Sequence, residues 1–171
     1  MIRQTFSDID AIWSTRLRIA EQPGWLRTIT AILAHSGDSW LWIFGLAVTW
    51  WRGDTQIKVW VLRLLGMILA TALLVMIIKF SVQRRRPEGE WGSIYRNTDP
   101  HSFPSGHAAR AALLAVLTIS WGPYWLGILV LLWAPFVSIA RVAMGLHYLS
   151  DVLVGAALGV ISGLLGCFIF N

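Results

Sequence analysis

The feature that most limits the fold of this chain is a set of long apolar runs that carry almost no charge. Residues 59–78 hold one charged side chain, Arg63, and residues 111–140 and 152–170 hold none. A helix needs about 20 predominantly apolar residues to cross the hydrocarbon core of a bilayer. The run at 111–140 is too long for one crossing, and Gly122-Pro123 is a turn signal that divides it into a helical hairpin. We therefore predict an all-α transmembrane bundle.

The composition of the whole chain agrees with a membrane class. Of 171 residues, 56% are hydrophobic and 13% are charged, whereas soluble domains carry about 25% charged residues. A soluble globule of this size cannot bury so much apolar surface, and the same figures exclude a disordered chain. The net charge of +5 favours anionic lipids or phosphorylated substrates as partners. We expect no nucleic-acid binding, because the sequence contains no soluble basic domain.

The N-terminal segment predicts an interfacial arm that covers residues 1–37. Apolar side chains recur at roughly helical spacing over residues 6–20 and again over residues 25–35, and Pro23-Gly24 separates the two stretches. Amphipathic helices of this kind lie in the plane of a membrane with their apolar face in the lipid. We therefore expect two such helices ahead of the first span.

The number of spans follows from the apolar runs. Residues 39–51 form a further run of 13 residues, which is short for a crossing at about 1.5 Å per residue unless it extends upstream. With residues 59–78, the hairpin at 111–140 and residues 152–170, the sequence predicts five spans, or six if residues 11–35 insert. We expect residues 1–171 to form a single integral membrane domain.

A polar loop at residues 79–107 interrupts the apolar pattern. It holds eight of the chain's 23 charged residues and two of its four histidines. Following the five spans across the membrane places this loop and the corner at residues 145–147 on the same side. Polar groups from two distant segments can therefore meet at one surface, and we predict that residues 79–107 form an active-site loop.

Three clusters of chemically active side chains lie in and after this loop. They are Lys79-x6-Arg86-Pro87, Pro104-Ser105-Gly106-His107 and Arg141-x5-His147-x3-Asp151. Taken one at a time, each has an ordinary structural interpretation: cations that anchor a span at the interface, a helix N-cap turn, and a satisfied polar pair. Arg141 and Asp151, however, lie beside apolar spans, where a buried charge is costly and a functional role is the default interpretation.

The residue types indicate binding and transfer of a phosphate group. The lysine and two arginines can form a cationic cradle, and arginine can hold phosphate through two hydrogen bonds. Ser105 and Gly106 precede a helix, whose first N–H groups bind anions. His147 and Asp151 lie one helical turn apart, so the carboxylate can hold the imidazole N–H and make His147 a nucleophile. His107 is then available as the general acid for the leaving oxygen.

The three clusters resemble the signature motifs of the type-2 phosphatidic acid phosphatase superfamily, and the short N-terminal arm is similar to that of small bacterial members. The superfamily consists of membrane lipid phosphate phosphatases, with vanadium haloperoxidases as soluble relatives. The resemblance implies that Lys79, Arg86 and Arg141 bind the substrate phosphate, with further hydrogen bonds from Ser105 and Gly106.

The resemblance also implies the roles of the remaining residues. His147 would attack phosphorus to form a phosphohistidine, Asp151 would orient it, and His107 would protonate the leaving group. One position departs from the family pattern, since Ala140 stands where a serine usually precedes Arg141. The missing hydroxyl removes neither the nucleophile nor the acid. The sequence shows no cluster of side chains with metal-ligand spacing, so we predict metal-independent chemistry without a cofactor.

The expected function is hydrolysis of a lipid phosphate or pyrophosphate, with undecaprenyl pyrophosphate or phosphatidylglycerol phosphate favoured by the resemblance. The alternatives are a lipid phosphotransferase that uses the same phosphohistidine, and a non-catalytic protein that binds lipid phosphates. A binder needs the cations but not both His107 and His147, so the two imidazoles favour an enzyme. The expected partners are the lipid substrate and the membrane, with no obligate protein partner.

The side of the membrane that holds the site is predicted differently by charge and by resemblance. Besides the catalytic cations, seven arginines lie on the site's side and three cations lie opposite. The two sets are Arg3, Arg16, Arg18, Arg27, Arg84, Arg85 and Arg96, and Arg52, Lys58 and Arg63. The positive-inside rule then places the site in the cytoplasm, whereas the resemblance implies an outward site. Insertion of residues 11–35 would remove most of the conflict, and we predict a multi-pass protein of the cell (inner) membrane with an extracytoplasmic site.

Overall fold

A computed structural model describes residues 2–91, 95 and 99–170, with backbone alone for residues 2–6. Arg96 and the side chain of Arg3, both counted in the orientation argument, lie outside the described part of the chain. Within that part the fold is all-helical, which confirms the predicted class. The seven helices described are α1 (Ile2–Arg16), α2 (Trp25–Ser36), α3 (Ser39–Arg52), α4 (Thr55–Val82), α5 (Gly106–Trp121), α6 (Tyr124–Ala143) and α7 (Leu149–Phe170).

Each predicted span falls on one of these helices. Helices α4, α6 and α7 are long and apolar enough to cross a membrane, and α2 and α3 pass the same test together as a pair bent by 52°. The short apolar run of α3 gains length from α2 in this way. Helix α5 has 16 residues and packs against α4, α6 and α7. The span count agrees roughly with the prediction, and the chain is a membrane protein.

Both ends of α4 are closed by local hydrogen bonds, and the second end precedes the polar loop. Asp54 caps the start of the helix, where its side chain accepts a hydrogen bond of 2.9 Å from the Ile57 N–H. Gln83 ends the helix in the left-handed conformation with φ 51°, and its N–H donates to the Lys79 carbonyl at 2.9 Å. This end leaves Lys79 in the last turn of a long apolar helix, directly before the loop.

Helices α5 and α7 approach each other at glycines of α7. A methyl group on Gly155 would overlap the carbonyl oxygen of Ser105, and one on Gly159 would overlap that of Ala109. Farther along the helix, a methyl on Gly163 would lie 2.7 Å from Cβ of Val116. Close contact between these two helices therefore holds the second motif against the helix that carries Asp151.

The N-terminal arm is attached to the first turn of α7. The Leu149 N–H donates to Ser14 Oγ at 2.8 Å, and the Ser150 N–H donates to Asp10 Oδ1 at 3.0 Å. The first N–H groups of a helix have no partner within the helix, and α1 supplies acceptors for two of them. The arm thereby fixes the end of α7 that carries Asp151.

The arm also lies on the same side of the molecule as the polar loop. Arg18 Nη1 donates to the Glu88 carbonyl at 2.7 Å, and Arg27 pairs with Glu90 at 2.9 Å. These contacts place both arginines beside the loop. The structure therefore does not move the N-terminal arginines to the opposite side, which was the sequence-based way to resolve the charge conflict.

Candidate active site

The first motif forms a buried cation pair that is held together by an aspartate. Lys79 and Arg86 are only 5% and 3% exposed. Lys79 Nζ contacts Asp99 Oδ2, and Arg86 Nη2 donates to the same oxygen at 2.8 Å. Burial alone would raise the pKa of Asp99, but the hydrogen bond from Lys79 and the charges of Lys79 and Arg86 lower it below its ordinary value. Sequence reasoning missed Asp99, whose signal was a carboxylate inside a cation-rich loop.

Arg141 of the third motif carries donors without a hydrogen-bond acceptor. Its side chain, in the last turn of α6, is 1% exposed, and Nε and Nη1 have no hydrogen-bond partner among the residues described. Its guanidinium lies 5.2 Å from the ring centroid of Tyr95, and that of Arg86 lies 5.4 Å from the same centroid. Unsatisfied buried donors are costly, so this guanidinium is suited to bind an anion.

His147 has its two ring nitrogens in different surroundings. Nδ1 lies 2.8 Å from the Ser102 carbonyl oxygen, and Nε2 lies 3.2 Å from Arg86 Nη1. A carbonyl can only accept and a guanidinium can only donate. Nδ1 therefore carries the proton, and Nε2 keeps a lone pair. Burial, followed by the charges of Arg141, Arg86 and Lys79, lowers the pKa of His147 well below its ordinary value and keeps the ring neutral.

Asp151 is fully buried but does not make the hydrogen bond that the sequence suggested. Its Oδ2 lies 3.7 Å from His147 Nδ1, which is beyond hydrogen-bond distance. Its oxygens accept from Arg84 Nη1 at 2.7 Å and from the Tyr148 N–H at 2.9 Å. The ring of His147 is therefore held by the Ser102 carbonyl, and Asp151 supplies negative charge beside it.

Arg84 connects Asp151 to the N-terminal arm. Its Nη2 pairs with Asp10 at 2.7 Å, while Nη1 contacts Asp151, and its guanidinium stacks 3.9 Å from the ring centroid of Tyr148. Burial acts to lower the pKa of Arg84, but the charges of Asp151 and Asp10 outweigh it and raise the value. Only the fold reveals its contact with a motif residue, because its partners lie far away in sequence.

The second motif starts α5 and faces the same space. Ser105 is fully buried, and its hydroxyl caps the helix by accepting from the Ala108 N–H at 3.5 Å. A methyl on Gly106 would meet only Val75, at an ordinary 3.6 Å, so this position is open. His107 Nε2 lies 2.8 Å from Oδ1 of Asp38, another residue that sequence reasoning missed.

A cavity of about 250 Å³ joins these groups to an apolar wall. Its polar end is lined by Lys79, His107 and His147, and α4 contributes Ile68 and Val75 farther along. The cavity therefore places both imidazoles and a cation at one end of an apolar cleft between α4 and α5. Within the described residues, no group of three or more His, Cys, Asp or Glu side chains could hold a metal ion.

The family is decided by a comparison with known families, in which the model of the PAP2 superfamily matches residues 60–170. The chain belongs to the PAP2 superfamily. The match contains the three motifs, whose side chains the structure brings together from α4, the polar loop, α5, α6 and α7. The roles of the eight predicted site residues remain predictions.

Two relatives of similar sequence align with different shares of the chain. Over 94 residues it is 37% identical to a lipid A 1-phosphatase of Porphyromonas gingivalis. The aligned part is 53% of this chain but only 19% of that relative. Over 147 residues it is 29% identical to a decaprenylphosphoryl-5-phosphoribose phosphatase of Mycobacterium tuberculosis. The aligned part is 85% of this chain and 80% of that relative.

A solved structure supports the fold. The crystal structure of a PAP2-type phosphatidylglycerolphosphate phosphatase from Bacillus subtilis superposes with a TM-score of 0.75. The superposition covers 96% of this chain and 86% of the other at 23% sequence identity. At that identity the likeness shows that the two proteins share the helical architecture.

Proposed function

We propose that this protein is a membrane phosphatase that hydrolyses a lipid phosphate or pyrophosphate through a phosphohistidine on His147. The observation that carries the proposal is the state of His147 Nε2. This nitrogen keeps a lone pair because Nδ1 donates to Ser102, and it lies beside Arg86. A neutral nucleophile among cations can attack a phosphorus atom whose negative oxygens the same cations hold.

The steps assign one task to each predicted residue. Lys79, Arg86 and Arg141 hold the phosphate oxygens, and Ser105 and Gly106 contribute hydrogen bonds at the start of α5. His147 Nε2 forms a bond to phosphorus while the bond from phosphorus to the leaving oxygen breaks, and His107 gives that oxygen a proton. Water then attacks the phosphohistidine and gives a proton back to His107. This step releases phosphate and restores His147. Asp151 stabilises the positive charge that the His147 ring gains in the first step.

The substrate class follows from the apolar wall of the cavity. Ile68 and Val75 of α4 line the same cavity as the polar groups, so an acyl or isoprenoid chain could lie along this wall while the phosphate reaches Lys79. We favour undecaprenyl pyrophosphate or phosphatidylglycerol phosphate, on the family resemblance. The Bacillus subtilis protein of similar fold is a phosphatidylglycerolphosphate phosphatase, which supports the second of these substrates.

The proposed location is the cell membrane, with residues 79–107 at its extracytoplasmic face. The outward site rests on the family resemblance and is opposed by the positive-inside count. Labelling decides between the two: Glu88→Cys in a Cys167→Ser background is treated in intact cells with a membrane-impermeant maleimide. Labelling without permeabilisation supports the outward site, and labelling only after permeabilisation contradicts it.

The enzymatic proposal is tested by phosphate release from a panel of lipid phosphates and pyrophosphates in detergent. We expect His147→Ala to reduce release to background while its melting temperature shows that it folds. Substantial residual turnover by this variant would contradict the nucleophile assignment. Labelled phosphate that moves to an added alcohol instead of water would indicate a phosphotransferase, and binding without turnover by the parent protein would indicate a binding protein.

A further inference from the structure

An aspartate outside the family motifs is in direct contact with His107. Asp38 lies in the short break between α2 and α3, and its two oxygens face two imidazoles. Oδ1 lies 2.8 Å from His107 Nε2, and Oδ2 lies 3.2 Å from His35 Nδ1. The residue precedes the range matched by the family model. Membership of the family therefore does not by itself provide this contact.

The break that carries Asp38 is fixed against α5 and α6. Ser36 accepts hydrogen bonds from Trp42 Nε1 at 3.1 Å and from Trp133 Nε1 at 2.8 Å. Arg110 Nε donates to the Gly37 carbonyl at 3.1 Å, and a methyl on Gly37 would lie 3.2 Å from Cδ2 of the His107 ring. These contacts leave little freedom for the neighbouring carboxylate, so Asp38 is held in position before a substrate arrives.

The charges around His107 make such a carboxylate necessary for an acid. Burial, followed by the charge of Arg141, lowers the pKa of His107 to about 3, and the hydrogen bond to Asp38 acts against this shift. The negative charge of a bound phosphate would raise this pKa again, because it offsets Arg141 and the Lys79 that lines the same cavity. A general acid must nevertheless carry its proton when the reaction begins. Among the described residues, Asp38 is the carboxylate that contacts His107. Because a carboxylate only accepts, Nε2 carries one proton, and Nδ1 is left to exchange the other with the substrate.

We propose that Asp38 is a positioning residue that orients His107 and favours its charged form, once a phosphate occupies the cavity, for proton transfer to the leaving oxygen. This inference rests on the proposed phosphatase function. As the bond from phosphorus to the leaving oxygen breaks, its electron pair stays on that oxygen, which takes the proton from His107 Nδ1. The ring becomes neutral and keeps its Nε2 proton, which stays hydrogen-bonded to Asp38. Its Nδ1 recovers a proton from the water that attacks the phosphohistidine. Asp38 remains ionised throughout.

The test compares leaving groups that need a proton with leaving groups that do not. Single-turnover release of the leaving group, which reports the first step alone, is measured for an alkyl lipid phosphate and for p-nitrophenyl phosphate. For Asp38→Asn we expect a rate loss of about 100-fold with the alkyl ester, as is typical for loss of an acid. The loss with the aryl ester should be at least about 30 times smaller, because a nitrophenolate leaves without protonation. KM should remain nearly constant.

Two further variants separate positioning from a general structural effect. His35→Gln removes the other partner of the carboxylate and should change both rates by less than about 3-fold. His107→Asn should show the same leaving-group pattern as Asp38→Asn, and the double variant should add little to it. If Asp38→Asn does not fold, Asp38→Glu replaces it, because the longer side chain displaces the charge. An altered ratio of alkyl to aryl rates in that variant supports the proposal, and an unaltered ratio overturns it.

Equal losses with both esters, or no loss, would overturn the role of Asp38. That result is distinguishable from failure of the phosphatase proposal itself. If His147→Ala eliminates turnover of both esters while Asp38→Asn shows no leaving-group dependence, the nucleophile assignment stands and only the present inference fails. If His147→Ala retains turnover, the phosphatase mechanism fails first.

Discussion

The contact between Gly155 and Ser105 predicts that a single methyl group on α7 disturbs the active site. In Gly155→Ala the new Cβ would overlap the Ser105 carbonyl oxygen and lie 3.2 Å from Ser105 N and C. These are backbone atoms of the second motif, so they cannot rotate away as a side chain can. The Ser105 N–H also donates to the Asp151 carbonyl at 2.9 Å. A displacement here therefore changes the distance between the second and third motifs.

The expected magnitudes follow from the size of this overlap. Overpacking of a close contact costs about 1–3 kcal/mol, and each kcal/mol lowers the melting temperature by about 2–4 °C in a chain of this length. Relief of the overlap needs a shift of about 1 Å, and a misplacement of that size can cost about 100-fold in rate. We therefore expect Gly155→Ala to lose roughly 100-fold in kcat as well as stability.

Two alanine variants serve as controls in the same assays, which are thermal unfolding and phosphate release by purified protein in detergent. Gly163→Ala meets the side chain of Val116 at 2.7 Å, so it should lose stability but keep most of its kcat. Gly66→Ala has open space around it and should keep its kcat, with a gain in stability of about 0.5–1 kcal/mol. If Gly155→Ala lost no more kcat than Gly163→Ala, the packing at Gly155 would not set the geometry of the site, and the reasoning would be refuted.

Four further predictions concern an ion pair, a protonation state, the need for a metal ion and a missing hydroxyl group. Arg84→Met leaves the buried Asp151 without its arginine and should lower the free energy of unfolding by about 3 kcal/mol and also lower kcat. Thermal unfolding and phosphate release measure the two effects, and an unchanged melting temperature would contradict the role of this ion pair. The pKa of His147 is well below 6.5 when folded, so below that pH the unfolded chain binds a proton that the folded chain does not. The free energy of unfolding should therefore fall as pH falls through 6.5, and His147→Asn should flatten this dependence. Activity should survive EDTA, and a strict Mg²⁺ requirement would count against metal-independent chemistry. Ala140→Ser should leave phosphate release the same or higher, and a collapse would show that this position is not the family's hydroxyl contact.

The sequence predicted the helices well because their signal is local. The apolar runs at 59–78 and 152–170 became α4 and α7, and Gly122-Pro123 separates α5 from α6. Such boundaries depend on hydropathy and on turn residues that can be read within one segment. The route of the N-terminal arm is different, because it depends on contacts such as Arg27 with Glu90. Those contacts pair residues with no sequence relation, so the sequence alone could not decide between five spans, which put these arginines on the site's side, and a sixth span made by residues 11–35.

The motif residues were predictable for a similar reason, whereas their partners were not. Lys79, Arg86 and His147 stand out as charged or titratable groups beside apolar runs. Asp99 looks like any other loop carboxylate until the fold places it between two cations. The Ser102 carbonyl, which holds the His147 ring, is a backbone group that no residue pattern identifies. Spacing also suggested that Asp151 holds His147, but the oxygens of Asp151 are engaged by Arg84 and Tyr148.

The two imidazoles of the site show why these partners matter for the chemistry. A nucleophile and a general acid made from the same side chain need opposite protonation states at the same pH, and only their surroundings can separate them. His147 faces a carbonyl on one nitrogen and an arginine on the other, which favours the neutral ring with a free lone pair. His107 faces the carboxylate of Asp38, which favours the charged ring with a proton to give once a bound phosphate offsets the charge of Arg141. In the proposed reaction, the break between α2 and α3 therefore distinguishes the acid from the nucleophile, although it lies outside every motif of the family.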